Sequence, residues 1–247
     1  MIKHKLLMVI GHLRPIADAR KRGVSSTSND ATPNPTSVNP QRPPMRAATP
    51  SQQALRGKII VLNGFPGTGK LPILKKVKEL LPTETACLLD NHLLIDPVAA
   101  VIPGRSQEHH ELRRKIRAPI FEKLQERAQK GHTILMTACL VEDDERDASV
   151  LQEHLDMAHE ADVPIFWINV HCSQEILQQR VASIERCSGT KTKLTDPTLA
   201  CDLVDKHRLI KPHKTDNSME GLLFATLDVS GSVELSVSGL MRIIKLP

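Results

Sequence analysis

Six residues with a strand's composition, Lys58-Ile59-Ile60-Val61-Leu62-Asn63, run straight into Gly64-Phe65-Pro66-Gly67-Thr68-Gly69-Lys70-Leu71. From there the chain takes on helical periodicity as far as Leu81. An apolar β-branched run, a glycine-rich turn and a helix in immediate succession leave few folds open. Gly64, Gly67 and Gly69 permit positive φ and carry no Cβ, so successive backbone N–H groups can converge on an anion. The helix that follows aims the positive end of its dipole at the same point. Lys70 then reaches the β- and γ-phosphates of a nucleoside triphosphate, as the spacing G-x-x-x-x-G-K requires. The alternative is a glycine-rich βα turn with an incidental lysine.

The next two positions depart from that pattern. Residue 71 is leucine where a Ser or Thr hydroxyl would ligate Mg²⁺. Residue 72 is proline, which has no N–H to offer the α-phosphate. Losing one charge-assisted hydrogen bond costs about 1.5–3 kcal/mol, so binding is expected to be weakened rather than abolished.

The net charge of +5 invites a nucleic-acid reading, but the charge is unevenly spread. Residues 1–56 hold nine Lys/Arg against Asp18 and Asp30, leaving 24 basic and 26 acidic residues in the remainder. The rest of the chain is therefore slightly acidic and no polycation. Four Phe, one Trp and no Tyr offer single-stranded bases few stacking platforms, which makes a nucleic-acid partner improbable. The five cysteines show no CxxC spacing, as expected of a reducing, intracellular compartment. Glu108-His109-His110-Glu111 is not HExxH, and no Cys/His spacing fits zinc, so no metal is expected beyond magnesium arriving with nucleotide. No apolar run approaches the length of a membrane span, and no membrane partner is expected. Residues 1–56, basic and then rich in Pro, Ser, Thr and Asn, read as a disordered tail. That tail leaves a mitochondrial presequence open beside a cytoplasmic location.

From residue 57 strand and helix patterns alternate. Strands are expected at 58–63, 86–90, 132–140, 163–171 and 222–229, and helices at 71–81, about 108–130, 147–160, 174–184, 198–209 and 232–244. Residues 98–106 read as loop. Five strands separated by helices imply an α/β fold with a parallel sheet and ligand at the strand C-termini. One domain, residues 57–247, is expected.

GFPGTGK, the strand-end motif DNHLLIDP and the late stretch RVASIERCSGTKTKLTDP together resemble the small-molecule kinase branch of the P-loop proteins. That branch includes nucleotide, shikimate, gluconate and antibiotic kinases and AAA-type kinase-like proteins. The resemblance covers about residues 57–247, and only the loop motif is highly specific. It implies a three-layer α/β/α domain that binds ATP with Mg²⁺ and transfers the γ-phosphoryl group to the hydroxyl of an unknown small-molecule acceptor. It also implies that residues 64–71 bind the nucleotide beside Lys70. Asp90 would then serve as general base or metal anchor, with Asn91 and His92 near the acceptor. Arg186 and Arg180, with Lys191 and Lys193, fall in or beside a lid at about 185–197, where an arginine stabilises the transferring group. Arg113, Arg114, Lys115 and Arg117 fall in the acceptor region, although such a run reads first as the wet face of a helix. Glu142-Asp143-Asp144 reads as a polar turn. Leu71 and Pro72 keep a second reading open, that of a nucleotide-binding switch or pseudokinase.

Overall fold

The computed structural model describes residues 57–188, 193–212 and 221–245. The expected tail, Lys191 and part of the expected lid lie outside the described residues. Five strands form one sheet: β1 (Lys58–Asn63), β2 (Ala86–Leu89), β3 (Thr133–Ala138), β4 (Ile165–His171) and β5 (Leu222–Asp228). Their order is β2-β3-β1-β4-β5, and every pairing is parallel. The helices are α1 (Lys70–Leu80), α2 (His92–Val101), α3 (Gln107–Gln129), α4 (Glu145–Ala161), α5 (Gln174–Val181), α6 (Ile184–Cys187), α7 (Pro197–Lys206) and α8 (Val233–Ile243).

The alternation of β1 explains the layers. Ile59 and Val61 join one core cluster with Ile134, Met136 and Trp167, packed against α3 and α4. Ile60 and Leu62 join another with Leu135, Phe166 and Ile168, packed against α1 and α8. A strand buried on both faces reads as a continuous apolar run, as this one does. Each fully buried aliphatic side chain of this kind contributes about 1.5–3 kcal/mol. The chain builds the sheet on one side of β1 through β2 and β3, then crosses to the other side with β4 and β5. The loop after β1 thus opens at the point where strand order reverses, where such sheets bind ligands.

Three expectations need correction. Residues 98–101, expected as loop, belong to α2. Leu94 and Val98, one turn apart, are buried and hold that helix together across Pro97, which forfeits one ladder bond. Ile184 does not extend the inward face of α5; it starts α6 and is 86% exposed. Gly64 has no positive φ, whereas Gly67 (φ 95°) and Gly69 (φ 84°) do. Gly64 is needed for close approach: a Cβ there would lie 2.5 Å from Val170 Cγ2 and 2.9 Å from the Val170 carbonyl.

Candidate active site

The phosphate loop is rooted in a buried amide network. Asn63, fully buried at the end of β1, donates from Nδ2 to Leu140 O (3.1 Å) and to Asn169 Oδ1 (3.0 Å). Its Oδ1 accepts from Leu140 N (2.7 Å). Asn169 on β4 accepts from Trp167 Nε1 (3.2 Å) and donates to Ile210 O (3.1 Å). Buried amides this well partnered rigidify the strand ends from which the loops leave. Sequence reasoning missed both residues; the available signal was an asparagine closing one apolar strand and another two residues before the end of a second.

Beyond Asn63 the loop turns into α1, whose N-cap is Gly69, with no side-chain cap and no acidic residue in the first turn. The first-turn amides thus have no side chain satisfying them, which suits an anion. Lys70 Nζ donates to Gly64 O (2.5 Å) and Phe65 O (3.0 Å), at the mouth of this turn. Burial pushes the Lys70 ammonium down to about 8; the Arg186 charge lowers it further, while Cys139 and Asp90 oppose the shift. Leu71 and Pro72 follow in the first turn of α1, with no hydroxyl and one N–H fewer. Loop and helix start fit the phosphates of a nucleotide, but residue 71 offers a metal no oxygen.

Asp90 lies just past β2 and is 7% exposed. Its Oδ1 accepts from Thr137 Oγ1 (3.1 Å) on β3, and that hydroxyl accepts from Asn91 N (2.9 Å). The carboxylate is thereby oriented by a neighbouring strand. Magnesium needs only one or two carboxylates beside phosphate and water, and Asp90 lines the same cavity as the loop. His92 pairs with Asp96 across one helical turn (3.4 Å).

Arg180, in the last turn of α5, donates to Gly231 O (2.9 Å) and to Thr68 O (3.5 Å), so it lies against the phosphate loop. Arg186 donates from Nε to Leu194 O (2.7 Å), joining α6 to the strand of chain before α7. Lys70, Asp90, Asn91, His92, Arg180 and Arg186 all line one cavity of about 830 Å³. Lys193 lines it too, while Lys191 is outside the described residues. A volume of that order holds a nucleotide-sized ligand.

The basic run of α3 divides by helical phase. Arg114 and Lys115 are exposed, as a wet face requires, but Arg117 is buried and Arg113 half-buried. Arg117 forks onto Glu153 of α4, with one arm at 2.7 Å. Residues 142–144 form the expected polar turn, and Asp144 caps α4 by accepting from Arg146 N.

No family model matches the chain, and no curated protein matches it. Among solved structures, the chain is similar to a kinase candidate from Chloroflexus aurantiacus, with 14% identity and a TM-score of 0.52 over 76% of this chain and 98% of that one. It is similar to the protein APE1195, with 21% identity and a TM-score of 0.50 over 77% of this chain and 96% of that one. A gluconokinase from Sinorhizobium meliloti aligns over 77% of this chain and 93% of its own, at 14% identity and a TM-score of 0.46. Identities this low speak to architecture alone. With its five-stranded parallel sheet and the loop after β1, the chain has the P-loop kinase-like α/β fold.

Proposed function

We propose that the protein is a small-molecule kinase that moves the γ-phosphoryl group of ATP to an acceptor hydroxyl. The observation that carries this reading is the meeting, in one cavity, of an uncapped helix start, the Lys70 ammonium and the oriented Asp90 carboxylate. The loop amides and Lys70 would hold the β- and γ-phosphates. Asp90 would accept the acceptor's proton as its oxygen bonds to the γ-phosphorus and the bond to the β,γ-bridging oxygen breaks, releasing ADP. Arg180 and Arg186 would stabilise the charge spread over the transferring oxygens. Magnesium arriving with nucleotide would neutralise phosphate charge, and Asp90 would reach it only through water, which leaves the carboxylate free to take the acceptor's proton. Leu71 is expected to leave the metal held more weakly than a hydroxyl would.

Leu71 and Pro72 favour a second reading, a nucleotide-binding switch that transfers phosphate poorly. Calorimetry with ATP, with and without Mg²⁺, and a phosphoryl-transfer assay over a broad acceptor panel separate the two. The kinase reading expects the double change Leu71→Thr with Pro72→Thr to raise both metal-dependent affinity and turnover. Tight ATP binding with no transfer to any acceptor, in the natural chain and the double variant alike, would favour the switch.

A further inference from the structure

Another wall of the same cavity has a different character. Arg105 stands between α2 and α3, His110 and Arg113 lie on α3, and Arg146 and Asp147 lie at the start of α4. The acids here do not match the bases. Arg117 and Glu153 satisfy each other, and Arg146 lies 3.6 Å from Asp144. Arg105 and Arg113 are left with Asp147, whose Oδ2 already accepts from Val141 N at 2.9 Å. Burial also pushes the Asp147 carboxyl up to about 6, so it is charged near neutral pH, but it is one carboxylate shared between two guanidiniums.

Two donors on this wall lack acceptors. Arg113 Nε and His110 Nε2 are buried with no hydrogen-bond partner among the described residues. Burial, with Arg105 and Arg117 nearby, pulls the Arg113 guanidinium down to about 9. His110 is held neutral, pulled down to about 4 by burial and then by Arg146, Arg105 and Arg113. A half-buried guanidinium whose Nε has no acceptor is costly to a fold that gains nothing from it. An entering anion reverses the balance, because charge-assisted bonds to a guanidinium are the strong ones.

We infer that this wall is an anion-binding subsite for the acceptor, in which Arg105 and Arg113, with His110 as a neutral donor, take a carboxylate, sulfate or phosphate group. The assignment of that anion to the acceptor rests on the kinase reading. The acceptor is then an anionic hydroxyl compound, gripped at one end here while its hydroxyl meets Asp90. Uncharged sugars and polyols offer Arg113 only neutral hydroxyl acceptors, whose bonds are weaker than those of an anion, and are discriminated against.

The phosphate loop also attracts anions, so it is filled first. The full chain is saturated with a non-hydrolysable ATP analogue and Mg²⁺, then titrated with sodium sulfate, phosphate or acetate against chloride of matched ionic strength, with glycerol as the neutral control. Expected is saturable one-to-one binding of at least one anion, none of glycerol, and a roughly ten- to hundredfold loss in Arg113→Gln and in Arg105→Gln. Preference for acetate identifies a carboxylate; preference for sulfate or phosphate identifies an ester group. In anion-free buffer Arg113→Gln is expected to melt no lower than the natural chain, since it removes an uncompensated buried charge. A lower melting point together with unaltered anion affinity would reduce Arg113 to a structural residue and overturn the inference, as would no saturable binding at all. If the natural chain never takes the nucleotide analogue, the same titration in Lys70→Ala reads the wall by itself. Arginine-dependent binding there would sink the kinase reading and spare the anion site; its absence would sink both.

Discussion

The two working walls of the cavity are built by opposite means. The phosphate loop uses backbone amides, glycines and one ammonium, all within seven consecutive residues. The arginine wall uses side chains from the 102–106 connection, α3 and α4, brought together only by the fold. A backbone-built site is local and is written in a short motif. A side-chain-built site is distributed, and its members look like ordinary surface charge until the helices are phased. The first wall can therefore be recognised from sequence and the second cannot, although the second is the better placed to choose the substrate.

Four measurements press on this contrast, from the largest effect to the smallest. Asp90→Asn removes the carboxylate proposed above to take the acceptor's proton. Turnover is expected to fall by about a thousandfold, with nucleotide affinity much less affected, read from initial rates and calorimetry. Lys70→Ala should weaken ATP binding by about a hundredfold, because the triphosphate loses its ammonium partner. Unchanged affinity would mean that the loop does not hold phosphate. Asn63→Ala leaves the N–H and carbonyl of Leu140 and the Oδ1 of Asn169 short of partners. It should cost about 2 kcal/mol in urea unfolding, and it would reach the nucleotide only by loosening the loop.

The smallest effect is a pH dependence of Lys70. Its folded-state value lies at about 8, below the 10.5 of a free lysine, so between those values the unfolded chain holds more protons. Stability of the nucleotide-free protein is expected to rise through that window as pH increases. Nucleotide affinity should move the other way, by up to about tenfold per pH unit above 8, as the free protein loses the proton that the phosphates require. Parallel trends in melting point and affinity would contradict the burial of this ammonium.

Architecture was largely legible. Five apolar runs gave the five strands, most plainly β1, β3 and β4, which are buried on both faces and cannot hide their composition. The helix expected from 174 starts there, capped by Ser173, which accepts from Ile176 N. Boundaries slipped where tertiary packing overrode a local signal: Pro103-Gly104 suggested a loop from residue 98, but the buried Leu94 and Val98 kept α2 helical to Val101. Of the candidate site, positions 64–71 and Asp90 could be placed because motif and strand end coincide. Arg113 and Arg117 were named with the acceptor region but read first as a solvated face, since four basic residues within five positions look alike and only the rotation of α3 separates two inward from two outward. Asn63 and Asn169 were hidden for a different reason: a single amide at or near a strand end carries no spacing to recognise.

Arg180 has one further consequence. It grasps Gly231 on the connection after β5 and touches Thr68 in the turn around the phosphates, while its own helix leads directly into the Arg186 segment. Its guanidinium thereby ties the turn at residues 64–70 to the turn joining β5 to α8, two places far apart in the sequence.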